Sequence, residues 1–333
     1  MMKKIIIVGL LGVAAMSTLY VVIPYVVGAR APSTSLRIAI FTPTTHCALQ
    51  EIEQGFVQIL QELSGTSYLF TTFNANGNRT LLRAQAEEIV GGDYALIFTI
   101  GAACSQTVAE LIAKKGMHTP HVFGGVDGPE FAQSLAHSNA TSTGVYVKSD
   151  YKRAMDILQR VKPDMKNVLL VYDPTHGTGL EKHKKEIEAH LKKRGVALRS
   201  VEIYQTNEIQ QKVAAALPNA DVVLVLTDNT VVAGIDALIV LCNRYGVTLF
   251  ASDLGSGKKG AALAYGVTEY DSGSGAAHKA DAILVHGAQP NSLAVSVISN
   301  FRLELNRDTA DAQGIHVDVA TLHHLQHQGD DHA

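Results

Sequence analysis

The segment ADVVLVLTDNTVVAGIDALIVLCNRYGVTLFASD, residues 220–253, changes periodicity twice. Residues 222–226 form an unbroken apolar run, too short for a membrane span and rich in valine, which predicts a strand buried on both faces. Thr227, Asp228, Asn229 and Thr230 interrupt it. Over 231–242 the apolar residues recur at helical spacing, so the polar group sits where a strand ends and a helix starts. Residues 247–251 are a second short apolar run ending in Ser252 and Asp253. The result is a strand, helix, strand unit with both polar ends on one sheet edge. In open α/β sheets ligands bind at that edge, beyond the carboxyl ends of the strands.

The same alternation extends in both directions. Strands are predicted at 37–41, 68–73, 95–100, 121–126 and 144–147, with helices at 48–63, 79–90 and 106–115 between the first four. The pattern restarts with a helix at 151–161, strands at 168–172 and 198–204, helices at 180–194 and 208–217, and a last strand at 262–267. Beyond it lie an alanine-rich helix at 271–286, short strands at 293–298 and 301–305, and helices at 309–314 and 320–328. Strand-to-helix alternation of this length predicts parallel sheets flanked by helices, in two similar α/β units that meet near 148–151.

Composition narrows the function classes. The 333 residues are 47% hydrophobic and 18% charged, enough for a packed interior and too apolar for disorder. A formal net charge of -3 gives no electrostatic case for nucleic acid, and the basic patch over 182–194 reads as the solvated face of a helix. Three cysteines, Cys47, Cys104 and Cys242, have no C-x-x-C spacing, so neither a zinc site nor a disulfide framework is indicated. Lys3 and Lys4 precede an uncharged, mostly apolar stretch over 5–28, the layout of an export signal. The stretch is long enough to span a bilayer as an uncleaved anchor, while Val27, Gly28 and Ala29 offer a cleavage site; either way the rest of the chain is expected in the periplasm. No cysteine follows it closely, which argues against a lipoprotein.

The polar strand ends define a candidate cleft. In the first unit they supply Thr45, His46, Asn76, Gly101, Ala102, Cys104, Ser105 and Asp127; in the second, Tyr172, His176, Thr227, Asp228, Asn229, Thr230, Ser252 and Asp253. Small residues over 101–105 at a helix start leave backbone N–H groups open to a carboxylate. Asp228 or Asp253 would suit an ammonium, and Asp228 equally suits a helix cap. His46 beside Cys47 invites a thiol-activation reading, but adjacent residues at a helix start point apart and no third group orients them. His316, His323, His324, His327 and His332 crowd the C-terminus; His323 and His327 share a helical face, a spacing that can bind zinc or nickel, and a solvated terminal helix explains it without metal. Neither metal nor cofactor is expected.

With these loops in place the chain resembles the solute-binding proteins of ABC transporters, in particular the tryptophan- and tyrosine-type periplasmic binders. Thr227-Asp228-Asn229-Thr230-Val231-Val232, Val247-Thr248-Leu249-Phe250-Ala251-Ser252-Asp253, Lys259-Gly260-Ala261, Tyr265-Gly266 and Tyr270-Asp271-Ser272-Gly273 carry the resemblance, with His46-Cys47-Ala48-Leu49 and Thr143-Gly144-Val145 in the first unit. It implies a two-lobed, type I-like periplasmic-binding-protein fold that closes over a small solute, with a permease and an ATPase as partners and no enzymatic activity. Residues 1–34 would be the signal or anchor, 35–148 with a returning helix at 269–288 the first lobe, 149–268 with 289–305 crossing back the second, and 306–333 C-terminal helices and tail. Residues 268–270 would then be a hinge.

The implied ligand is an amino acid, commonly aromatic, with Phe41, Tyr172 or Tyr265 near its side chain. Departures from the family pattern fall on the cleft: Cys47 stands for proline, Gly101-Ala102-Ala103-Cys104 for a Thr-Pro loop, Val126-Asp127-Gly128-Pro129 for Val-Thr-Asp-Pro, and Pro174-Thr175-His176-Gly177 for a loop rich in Glu, Asn and Ser. An anchored sensor of the same fold is the alternative. A hydrolase using His46 and Cys47, or Ser105, ranks last, for want of a nucleophile elbow.

Overall fold

A computed structural model describes residues 35–138, 140–175, 178–317, 321 and 325. The first sheet is built from β1 (Leu36–Thr42), β2 (Tyr68–Asn74), β3 (Leu96–Ile100), β4 (His121–Asp127) and β5 (Ser142–Val147), with α1 (Cys47–Leu63), α2 (Arg79–Gly91), α3 (Ala102–Lys115) and α4 (Pro129–Ser138) between them. The second uses β6 (Asn167–Tyr172), β7 (Ala197–Glu202), β8 (Val222–Val225), β9 (Thr248–Ala251) and β10 (Leu263–Val267). Its helices are α5 (Tyr151–Val161), α6 (Thr178–Lys192), α7 (Ile209–Ala216), α8 (Asn229–Val232), α9 (Ile235–Tyr245) and α10 (Leu254–Lys259). Then follow α11 (Glu269–Leu284), β11 (Ser296–Ile298), β12 (Phe301–Leu305) and α12 (Arg307–Ala310). Strand order is β11-β5-β4-β3-β1-β2 in one sheet and β12-β10-β9-β8-β6-β7 in the other.

The continuous apolar strands are buried on both faces, as parallel strands covered by helices must be. β3, β8 and β9 are buried at every residue. The helices bury one stripe each; in α1 it is Ala48, Leu49, Ile52, Gly55, Phe56 and Leu60, and Phe56 stacks on Phe98 of β3 at 3.9 Å between ring centroids.

Where the structure differs from the sequence reading, local geometry is the cause. α3 starts at Ala102, four residues early, because Gly101 adopts φ 82 and lets the chain turn at once into the helix. The helix expected over 231–242 breaks at Gly234. A Cβ there would lie 2.5 Å from Ile209 Cδ1, so α7 can press against the break. α4 and α10 were not anticipated, since both are short and α10 is held by a cap rather than an apolar stripe. β12 runs antiparallel on β10, against an all-parallel expectation. Residues 289–305 do not cross back as a whole. β11 pairs with the open edge of β5 and only β12 joins the second sheet, so the chain passes between sheets at Ser299 and Asn300.

Three short connections therefore join the sheets: the one after β5, the one at Thr268 between β10 and α11, and the one between β11 and β12. α11 leaves the second sheet and lies on α1 of the first, sharing a core with Ile38, Phe98 and Val145. The helices touch backbone to backbone: a Cβ on Gly55 would lie 2.4 Å from Tyr270 O, and one on Gly273 2.0 Å from Ile52 O.

The chain after β12 is tied down by one buried amide. Gln313 Oε1 accepts from Leu249 N (2.9 Å) and Ala262 N (3.1 Å), while its Nε2 donates to Asn243 Oδ1 (2.7 Å) and Gly260 O (2.9 Å). Gln313→Leu orphans these groups together and is expected to cost about 3 kcal/mol, read as a lower urea midpoint; an unchanged midpoint contradicts this clamp. Among the described residues no helix is long and apolar enough to cross a membrane.

Candidate ligand site between the two sheets

The carboxyl ends of the strands in the two sheets face one another, and polar contacts between described residues join them. His46 Nε2 meets Asn229 Oδ1 at 3.0 Å, Arg79 donates to Thr175 O at 2.8 Å, Lys258 pairs with Glu51 at 2.7 Å, and His183 Nε2 pairs with Asp127 Oδ2 at 3.2 Å. Gly101 belongs to the same seam: a Cβ on it would stand 3.6 Å from Asn229 Nδ2 and from Pro43 Cγ.

His46 precedes α1 as an N-cap without a capping hydrogen bond and is 7% exposed. Because Asn229 Oδ1 accepts from Nε2, Nδ1 is left as a bare acceptor, and it has no partner. Burial pulls its pKa down to about 4, against the opposing Asn229 bond, so the ring is neutral at pH 7. Ser252 Oγ and Thr268 Oγ1 are likewise buried without a partner. Three unspent polar atoms at one seam are a reason to look for a ligand there.

Not every predicted residue reaches this seam. Asp228 accepts from Thr230 N (3.0 Å), Val231 N (3.3 Å) and Asp173 N (2.6 Å), and Thr230 Oγ1 donates to Asp173 Oδ2 (2.9 Å). It caps α8 and ties two loops together. Asp253 caps α10, accepting from Ser256 N and Ser256 Oγ, each at 2.7 Å. Both carboxylates assigned to an ammonium are therefore occupied by backbone and hydroxyl donors. Cys104 and Ser105 turn inward with the first turn of α3. The thiol lies in the core beside Val108 and Ile112, and Ser105 Oγ donates to Gly101 O at 2.7 Å. Ala102 is exposed at the same helix start.

Tyr172 shares a strand face with Val168 and Leu170, so its ring joins the core under α6, and its hydroxyl donates to Glu181 at 2.6 Å. Phe41 is also core, and Tyr265 stacks on Phe301 at 5.3 Å. None of these three aromatics is placed as a platform at the seam. Thr45 accepts from Asn74 at 2.6 Å, Asn76 holds an exposed left-handed turn at φ 50, and Thr227 meets the Tyr151 hydroxyl at 3.3 Å. Asp127 Oδ1 accepts from Ser149 N at 3.1 Å, at the first connection between the sheets. His176, His323 and His327 lie outside the described residues. Cys47 has its thiol pKa raised by burial and by Asp253, and its neighbour His46 is engaged elsewhere, so no activated nucleophile is assembled.

The group the sequence reading missed is Glu269. It opens α11 directly after the Thr268 connection, is 8% exposed, and has no partner among the described residues. Burial, then the fields of Asp253, Glu51 and Asp127, push its carboxyl pKa up to about 8. An acidic residue at a strand-to-helix connection was visible in the sequence. What surrounds it was not.

Two helix-flanked, largely parallel sheets joined by three short connections, with their strand ends opposed, define a periplasmic-binding-protein fold of the type I-like kind. The chain belongs to the ABC transporter substrate-binding protein family, whose model matches residues 37–326. Members of this family are extracytoplasmic binding proteins rather than enzymes. Among relatives, the Tyrosine-binding protein of Clostridioides difficile is 22% identical over 273 residues, covering 80% of this chain and 77% of that one. A conserved domain protein from Vibrio cholerae superposes with a TM-score of 0.78 at 24% identity, covering 87% of this chain and 98% of that one. An ABC domain from Streptococcus pneumonia in complex with L-Trp superposes at 0.76 and 18% identity, covering 87% and 98%.

Proposed function

We propose that this protein captures a small solute bearing an amino group, an amino acid by preference, between its two lobes and delivers it to an ABC importer. The carrying observation is the set of unpartnered groups at the seam, His46 Nδ1, Ser252 Oγ and Thr268 Oγ1, beside the buried Glu269. The uncapped start of α3 at Gly101 offers N–H groups to a carboxylate, and an acidic rim offers a seat to an ammonium. The named ligands of two relatives, tyrosine and L-Trp, are consistent with that chemistry. The first lobe would comprise β1–β5, β11 and α11, the second β6–β10 and β12. A solute touching both favours the arrangement in which they meet, because it binds that state better than the separated one.

The test is thermal unfolding of the full chain, stripped of carried-over ligand by unfolding and refolding, against the twenty amino acids. A true ligand at 100 times its Kd adds about 2.7 kcal/mol, a rise of several degrees. A panel in which no amino acid moves the transition rejects the reading.

A further inference from the structure

Among the described residues, the cations that act on the acidic neighbours of Glu269 are already engaged. Lys258 of α10 pairs with Glu51 of α1 at 2.7 Å, Lys259 with Asp236 at 3.4 Å, and His183 of α6 with Asp127 of β4 at 3.2 Å. Asp253, between β9 and α10, is spent on Ser256, and His46 of α1 is neutral. Glu269 thus lies, nine-tenths buried beside the Thr268 connection, in the field of three carboxylates from three separate segments, and no cation among the described residues pairs with it. Two of those neighbours, Asp127 and Glu51, come from the first sheet and its helices; Asp253 comes from the second. Bringing the two sheets together is what concentrates this negative charge.

Resting on the solute-binding reading above, we infer that Glu269 is the carboxylate that receives the positive charge of the bound solute, and that while ionised and unmatched it holds the two lobes apart. A cationic group entering the seam removes the repulsion and lets the lobes meet; a neutral or purely anionic solute does not. A proton does the same work as the ligand's charge. Burial and the surrounding carboxylates keep Glu269 protonated in the empty, joined arrangement up to about pH 8, so binding of a cation near pH 7 displaces that proton.

Two measurements on the full chain and its Glu269→Gln variant test this. The first is calorimetric titration at pH 7, in two buffers of different ionisation enthalpy, with the amino acids, tyramine, tryptamine and 3-phenylpropionate. Amine-bearing ligands are expected to release about one proton from the unmodified protein. They should bind the variant at least tenfold more weakly and release no proton from it, while 3-phenylpropionate distinguishes the two proteins little. Equal affinity and equal proton release overturn the role of Glu269 and leave the solute-binding reading standing.

The second is small-angle scattering without ligand at pH 6 and pH 9. The unmodified protein is expected to expand at pH 9 and the variant to stay compact at both. If both expand alike, loss of the His183–Asp127 pair sets the transition and the inference fails, whatever the titration shows. Should nothing in the ligand set bind, the amine-binding reading falls, and the scattering arm still decides whether Glu269 holds the lobes apart.

Discussion

Gly273→Ala is expected to destabilise the protein by about 3 kcal/mol or more, although alanine is the better helix former by about 1 kcal/mol. The added Cβ would sit 2.0 Å from Ile52 O and 2.7 Å from Phe56 N, both of them backbone atoms of α1 that cannot swing aside. α11 would have to move off α1, opening the core made by Ile52, Phe56, Leu60, Ala276, Ala277 and Ala280. Because this contact fastens the returning helix to the first sheet, the loss falls on the whole cooperative unit rather than on one surface helix. Chemical denaturation reads it directly. Gly179→Ala, where nothing lies within 4 Å of the new Cβ, serves as control and should shift stability by less than about 1 kcal/mol. Equal midpoints for Gly273→Ala and the parent would contradict the packing described.

The second large effect is a gain. Glu269→Gln is expected to leave stability unchanged near pH 4.5 and to raise it by on the order of 3 kcal/mol at pH 8. The sign follows from the proton count. The folded carboxyl holds its proton up to about pH 8, whereas the unfolded one ionises near the ordinary glutamate value of 4.5. Between those values the unfolded state binds fewer protons, so stability falls as pH rises through the window and is level above it. Glutamine keeps the shape and removes the titration. Other groups run alongside. His183, raised by its bond to Asp127 against the opposing cost of burial, also loses its contribution as pH rises through its folded value. Buried His46 and His121, lowered to about 4 and about 3, lose theirs as pH falls below the unfolded value of 6.5. These are common to both proteins, so the difference between denaturation curves at pH 4.5 and pH 8 isolates Glu269. A variant no more stable than the parent at pH 8 refutes the assignment.

Much of the architecture was legible in the amino-acid sequence, because a parallel strand covered on both sides is a continuous apolar run and its flanking helix carries a 3.6-residue stripe. The runs at 222–226 and 247–251 are β8 and β9 nearly as read, and 168–172 is β6. The location of the polar strand ends was legible for the same reason. Which of those polar groups are free was not. Asp228 and Asp253 look alike as ligands and as caps, and only the hydrogen bonds to Thr230, Val231, Asp173 and Ser256 show that folding has spent them. Tyr172 ends its strand and was read as lining the cleft, yet the strand's alternation turns its ring under α6.

The sequence by itself determined where strands end and helices begin, because burial periodicity and capping act between residues close along the chain. Only the tertiary structure decided that Glu269 would lie in the field of Asp127, Asp253 and Glu51, and that His46 would reach Asn229. Those residues are far apart in sequence, and an electrostatic environment is made by whatever the fold brings near, whichever residues stand next to it in the chain.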